Sequence, residues 1–210
     1  MASYLTEWVT SCLNIILTAT ALYYSYKLFK VHRAPSVGFF LLGISAAISI
    51  LHPSSPYLTS LQREAEWAAE VLAPVLVSFD FLWLSQDRNT AQILLCGSCL
   101  LLGLSDWLSA DTLTIMTRCL GLSSLSCCLT VCLFAGNASG AFGSMALSLP
   151  LLLTHRFGTK TFAPLLFPVA TEGLMKCLLK GSLLIGCWVS TLALGKFLLD
   201  VTDQAVYLSS

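Results

Sequence analysis

The chain is a succession of apolar runs of near-spanning length separated by short polar turns, and that pattern leaves few folds open. A helix needs roughly 20 residues to cross about 30 Å of hydrocarbon, because each residue rises about 1.5 Å. Seven stretches approach that length: Trp8 to Tyr26, Pro35 to Leu51, Trp67 to Gln86, Ala91 to Leu108, Leu113 to Ala135, Ala141 to Leu153 and about Cys177 to Leu199. Backbone groups in lipid must be bonded internally, so only helices or a closed barrel can cross. These runs are continuous rather than alternating, which excludes the barrel. The expected fold is all-α, a polytopic helical membrane bundle of about seven transmembrane helices with short loops. It forms a single integral membrane domain over residues 1–210 that ends in a short polar tail, Asp200 to Ser210.

Composition agrees. Hydrophobic residues make up 56% of the chain and charged ones 10%, whereas a soluble domain carries about 25% charged residues. Mean hydropathy is +0.80. So few charges could not cover a water-facing surface, and the formal net charge of zero offers no basic face to nucleic acid. Met1 to Glu7 contains no Lys or Arg, and the first apolar run continues to Tyr26 before meeting Lys27, Lys30 and Arg33. That order describes a retained first span rather than a cleaved signal peptide. Eight of the nine cysteines lie inside apolar stretches and Cys177 lies beside one, so they read as small packing residues without disulfides. Cys96 and Cys99 form a Cys-x-x-Cys without a second ligand pair, so no metal or cofactor is expected.

The connectors are polar or broken by proline. His52 to Glu66 contains Pro53 and Pro56, which are expected to stop a helix. Trp67 and Trp83 stand near the ends of the third run, where amphipathic rings prefer the interface. His155 to Pro168 are polar or proline-broken. Thr171 can cap a last helix whose first portion carries Glu172, Lys176 and Lys180 on one stripe and lies in the interface. Lys180 and Lys196 are then expected to snorkel outward. The basic first loop favours an outside N-terminus under the positive-inside rule, while Arg156, Lys160, Lys176 and Lys180 oppose it. The usual dominance of the first helix tips the balance towards N-outside.

Three charged residues are candidates for an intramembrane polar site: Asp80, Asp106 and Arg118. Asp80 lies within Val77-Ser78-Phe79-Asp80-Phe81, about six residues from the end of the third run. An ionised carboxylate at that depth costs several kcal/mol unless paired, hydrated or protonated. It is expected to bond a neighbouring helix and hold the bundle together; the other reading is a proton, ion or catalytic site. Its helix should turn it towards the bundle, with Leu76 and Leu84 on the same face. Arg118 stands one turn into the fifth run, where it can pair with Asp106 or Asp111 or reach the interface. Asp87-Arg88 reads as a solvated turn facing head groups. No Asn-Pro-x-x-Tyr accompanies it, which sets aside a rhodopsin-like receptor. Asn137-Ala138-Ser139 matches a glycosylation acceptor, but its turn hugs the bilayer and should escape modification. Small residues recur every four positions at Gly136, Gly140, Ser144 and Ser148, and at Cys187, Thr191 and Gly195, as in helix-packing faces. His32, His52 and His155 have no metal-type ligand nearby in sequence. No nucleophile elbow, zinc-protease helix, Walker loop or dinucleotide fingerprint is present.

Ser78-Phe79-Asp80-Phe81-Leu82-Trp83, then Asp87-Arg88, then Ala91 with Ile93-Leu94-Leu95, resembles the vertebrate transmembrane protein 276 family. Trp8 with Thr10, Gly38-Phe39-Phe40-Leu41-Leu42 and the turn Gly136-Asn137 with Gly140 add to the likeness. It covers roughly the first 150 residues and fades towards the C-terminus. The resemblance implies a multi-pass membrane protein without an assigned activity, and carries over no catalytic or ligand residue.

The functional expectation is therefore a non-enzymatic bundle in an endomembrane rather than the plasma membrane. It would act as a structural or accessory partner, in contact with the lipid bilayer and with other membrane proteins through small-residue helix faces. Two rivals remain open. One is a small transporter or channel subunit using Asp80, although no inverted repeat is visible. The other is a membrane-embedded lipid hydrolase, which needs several polar groups converging in the bilayer.

Overall fold

A computed structural model describes residues 2–30, 32–50, 56–153 and 171–209, with side chains at 8–30, 32–50, 57, 59–153 and 175–199. Among these residues the chain forms seven helices: α1 (Ala2–Leu28), α2 (Arg33–Ile50), α3 (Pro56–Leu84), α4 (Arg88–Gly103), α5 (Ala110–Phe134), α6 (Ala138–Leu153) and α7 (Thr171–Ser209). Four described stretches are long and apolar enough to cross a membrane: Arg33–Ile50, Thr59–Leu84, Ala110–Phe134 and Met175–Leu199. Ala138–Leu153 is apolar but shorter. Helices this apolar all round cannot direct one face to a soluble core, and their outward side chains are those of a lipid-facing surface. Ile15, Ile16, Ile93, Leu100, Ile115, Leu133 and Leu192 are all exposed. The protein is a helical membrane protein.

Helix boundaries differ from the sequence reading where local chemistry outweighs hydropathy. α3 begins at Pro56 instead of Trp67. Proline at the first helical position loses an N–H that has no helical partner anyway, so Pro56 starts the helix it was expected to stop. The tryptophan expected at the interface, Trp67, therefore lies three turns into α3, packed beside Val71, Leu101, Leu113 and Leu151. α4 ends at Gly103, and the chain turns through 104–109 before Ser109 caps α5 by accepting from Thr112 N at 3.4 Å. Thr171, expected as a cap, is the first residue of α7, which continues without a break to Ser209. Pro53, His52 and His155 to Pro168 lie outside the described residues, as does the side chain of Glu172.

α3 occupies the centre. It packs against α2, α4, α5, α6 and α7, while α1 closes against α2 and α7 on one side and α4 packs on α3 and α5 on the other. Burial follows: 61% of the α3 span is buried, against 28% of the α5 span. The main core joins Leu17, Phe39, Leu42, Val77, Phe81, Leu147, Leu194 and Phe197 from α1, α2, α3, α6 and α7. Pro74 and Pro150 are buried inside α3 and α6. Each lacks the N–H that would bond the carbonyl one turn back, a break that neighbouring helices can accommodate in a membrane bundle.

Gly140, Ser144 and Ser148 of one small-residue row, and Cys187 and Thr191 of the other, are buried within the bundle, while Gly136 and Gly195 are exposed. A Cβ at Gly140 would meet Cys132 Sγ at 2.6 Å and Phe81 Cζ at 3.1 Å. A Cβ at Gly143 would come within 2.6 Å of Ser190 Oγ and 2.9 Å of Ser190 N, so α6 and α7 approach backbone to side chain. The α5–α6 turn depends on Gly136, whose φ of +65° suits glycine. Asn137 follows it and is buried. Its Oδ1 accepts from Gly140 N at 3.0 Å as the α6 cap, and its Nδ2 donates to Ala193 O of α7 at 3.0 Å. The amide of the apparent glycosylation acceptor is therefore engaged inside the bundle.

Two outcomes are expected. Gly143→Ala should destabilise the purified protein by about 1–3 kcal/mol, because over-packing pushes α6 off α7. Gly195→Ala, where a Cβ would meet nothing within 4 Å, should leave the thermal midpoint unchanged or slightly raised. Thermal unfolding in detergent measures both. Protein from eukaryotic cells should also show no mobility shift on glycosidase treatment; a shift abolished by Asn137→Gln would contradict the buried amide.

Candidate functional site

Two polar clusters are built along α3 (Pro56–Leu84), one near its C-terminal end and one near its middle. The first follows from the α1–α2 corner. His32 N donates to Leu28 O at 2.7 Å, finishing α1, and Ser36 N donates to His32 O at 3.3 Å, opening α2. The corner is locked by a reciprocal pair: Ser25 Oγ donates to Ser36 O at 2.9 Å, and Ser36 Oγ donates to Ser25 O at 2.8 Å. This fixes the His32 side chain against the late part of α3. There His32 Nδ1 is hydrogen-bonded to Asp80 Oδ2, and both residues are buried. With Asp80 as a carboxylate, which only accepts, Nδ1 is the donor of this bond. His32 Nε2 is buried without a hydrogen-bond partner among the described residues.

Asp80 therefore does bond a neighbouring element, and its partner is a histidine that stands 48 positions earlier in the chain. Leu76 is buried with it as expected. The Asp80 face is not the sole inward one, however: Val77, Ser78, Phe81 and Leu82 are buried too, because α3 is surrounded. Ser78 Oγ donates to Ser124 O of α5 at 3.0 Å. Phe81 meets Phe197 of α7 edge-on at 5.7 Å, and Phe79 stacks on Trp83 at 5.5 Å. The Arg88 guanidinium lies 5.1 Å from the Trp83 ring. Asp87 caps α4 by accepting from Thr90 N at 3.2 Å, so Asp87-Arg88 is an exposed turn.

The other two candidate residues do not join Asp80. Asp106 is exposed in the α4–α5 turn, at the end of the bundle opposite Asp80. Asp111 is exposed in the first turn of α5. Arg118 lies two turns into α5, half-buried, and its Nε is buried without a hydrogen-bond partner among the described residues. No ion pair joins it to either aspartate among the described residues.

The second cluster was not legible in the sequence. Lys180 does not snorkel outward. It turns into the bundle, where its Nζ donates to Asn14 Oδ1 of α1 and lies 3.9 Å from Glu66 Oε1 of α3. Ser49 Oγ of α2 donates to Glu66. The correction has a simple cause: an ammonium placed five residues into the Met175–Leu199 span meets a carboxylate and an amide oxygen sooner than it reaches the head groups. Lys196 is exposed, as expected. Beside this cluster lies a cavity of about 50 Å³ lined by Leu17, Leu42, Ser45, Ala46, Glu66, Glu70, Lys180 and Leu183. The signal that could have revealed it was Glu66 and Glu70, spaced one turn apart, once Pro56 is read as a helix start.

Asp80, Phe81, Trp83, Gly136 and Gly140, which carry the sequence resemblance, thus sit at helix contacts and turns. The chain resembles transmembrane protein 276. It is 28% identical over 150 residues to the mouse protein (Mus musculus), covering 71% of this chain and 77% of the relative. The rat protein (Rattus norvegicus) is 26% identical and the human protein (Homo sapiens) 28% identical, each over 149 residues with the same coverage. The likeness is distant, and the relatives' name agrees with the transmembrane architecture. No family model matches the chain, and no solved structure matches it.

The His32–Asp80 pair generates a prediction. Asp80→Asn retains an oxygen acceptor for His32 Nδ1, whereas Asp80→Leu leaves that buried donor unsatisfied, at about 1–3 kcal/mol. Asn should be tolerated, and Leu should lower steady-state abundance and thermal midpoint. Adding His32→Leu to Asp80→Leu should recover part of the loss, since both partners are then apolar. Normal levels of Asp80→Leu alone would show that the pair does not hold the bundle.

Proposed function

We propose that this protein is a non-catalytic membrane bundle that serves as a structural or accessory partner of other membrane proteins, within an endomembrane. The observation that supports this reading is the state of Asp80. The most buried carboxylate among the described residues is engaged with His32 at a helix corner, in packed surroundings, instead of converging with Asp106 and Arg118 on a shared groove. Lipid hydrolysis needs an acid, a base and a substrate-shaped space within reach of one another, and these three residues lie on different parts of the bundle. Contacts with partners through small-residue faces would use rows other than Gly140–Ser148, which pack against α3, α5 and α7.

A second reading, a small transporter or channel subunit, draws support from a different place. The cavity beside Glu66 and Lys180 sets ionisable groups among four helices, and intramembrane ionisable residues are characteristic of transport paths. In this reading Asp80 positions helices and the Glu66 cluster faces the permeating species.

Reconstitution separates the two. Purified protein in liposomes loaded with a pH-sensitive dye should leave the dye unchanged under imposed sodium or voltage gradients. Native electrophoresis of mild detergent extracts should place the protein in a complex larger than the chain alone. Dye responses abolished by Glu66→Gln would favour transport, and responses abolished by Asp80→Asn would restore Asp80 as the coupling acid.

A further inference from the structure

Asp80 and Lys180 each meet a partner inside the bundle, and Arg118 does not. Arg118 lies within the Ala110–Phe134 span. Its Nε is buried without a hydrogen-bond partner, and no ion pair joins it, among the described residues. A guanidinium cannot shed its proton in a protein, so neutralisation is closed to it. A charged side chain within a span is costly unless it is paired or drawn to the interface. Arg118 therefore calls for an anion that the described residues do not supply.

Its place on α5 shows where that anion comes from. Thr117, Gly121 and Ser124 are buried on the inner face, and a Cβ at Gly121 would lie 3.3 Å from Leu151 of α6. Leu120 is on the other flank, where a Cβ at Gly97 of α4 would lie 3.8 Å from it. Ile115, Cys119 and Leu122 are exposed. Half-buried Arg118 thus stands at the seam between the face that meets α6 and the face that meets lipid, away from α4. Helical side chains lean towards the N-terminus, which carries the guanidinium up this seam towards the start of α5.

Asp111 stands on the same seam, two turns or about 10 Å nearer the start of the helix. It is exposed and without an ion pair among the described residues. Thr114, between the two, turns its hydroxyl back to Ala110 O at 2.9 Å and puts no bulk in the way. The positive end of the helix dipole accounts for an acid in the first turn, but not for an arginine below it. The pair presents a cation on the hydrocarbon side and an anion on the water side. A phospholipid with an ethanolamine or choline head group presents the complement: its phosphate is attached on the acyl side, and its ammonium follows one ethylene link further out. The planar guanidinium fork also matches the geometry of a phosphate.

We propose that the seam between Arg118 and Asp111 binds a phospholipid with an amine-bearing head group. Arg118 holds the phosphate, Asp111 holds the ammonium, and an acyl chain lies against Leu122. The site goes beyond the accessory and transport readings and depends on neither.

The test is native mass spectrometry of the full-length protein in mild detergent, given phosphatidylethanolamine or phosphatidylglycerol with the same acyl chains. Both lipids bring a phosphate, and only the first brings an ammonium. The wild-type protein should retain phosphatidylethanolamine about fivefold more than phosphatidylglycerol, a comparison that needs no variant. Arg118→Gln should reduce retention of both lipids, while its thermal midpoint without lipid does not fall, since no partner within the protein is lost. Asp111→Asn should leave phosphatidylethanolamine no better retained than phosphatidylglycerol. Asp106→Asn, at an exposed acid of the preceding turn, should behave as wild type. Equal retention of the two lipids by the wild type, stronger retention of phosphatidylglycerol, or unchanged retention by Arg118→Gln would overturn the proposal. A lipid-free dimer that Arg118→Gln or Asp111→Asn dissolves would overturn it too, because a second copy of the chain would then supply the missing partner.

Discussion

Hydrocarbon satisfies no hydrogen bond, so a helix that is surrounded by other helices must find partners for each polar side chain inside the bundle. α3 meets this constraint more severely than any other element. Ser78 and Asp80 are buried within its span, and Glu66 and Glu70 line a cavity nearer its middle. The partners come from α1, α2, α5 and α7. His32 at the α1–α2 corner takes Asp80, the Ser124 carbonyl takes Ser78, and Ser49 and Lys180 take Glu66. Each of these contacts also says which helix lies beside α3 and at what height, which apolar packing in lipid specifies weakly.

The two clusters are unequal. At His32–Asp80 both residues are buried, and removing either would strand the other; such a pair is costly to break and adds little beyond what apolar residues would provide. At Lys180–Glu66 the side chains are 23% and 35% accessible, so the pair is less enclosed by the bundle. Apolar contact sets the rest of the stability order: close approaches at Gly140 and Gly143 let α6 lie tight on α3, α5 and α7, where a single added methyl has nowhere to go.

What could be read in advance was the part governed by transfer into lipid. Apolar runs located all seven helices, and the depth of Asp80 announced a bond to a neighbouring element. Local cap chemistry was less legible. It misled at Pro56, since the same ring that ends a helix from within begins one at the first position. His32 and Lys180 were illegible for a different reason. Lys180 looks, one-dimensionally, like an interfacial cation with a short way out, and His32 like one more residue of the first loop. Their inward turn depends on Asp80, Asn14 and Glu66, which stand 48, 166 and 114 positions away. Arg118 shows the reverse failure. Asp106 and Asp111 are near it in sequence, yet Asp106 is exposed in the α4–α5 turn and Asp111 in the first turn of α5, while Arg118 lies two turns into α5.

The distribution of the resemblance to transmembrane protein 276 bears on how fold and function divide in this chain. The matched residues have physical duties that any activity would require: Phe81 fills the centre against Phe197 and Gly140, Gly136 turns the chain at positive φ, and Asp80 closes on His32. These contacts hold α3, α6 and α7 in one arrangement. A core can be kept by a few contacts that tolerate little change, because an added atom at Gly140 or a lost acceptor at Asp80 is felt at once.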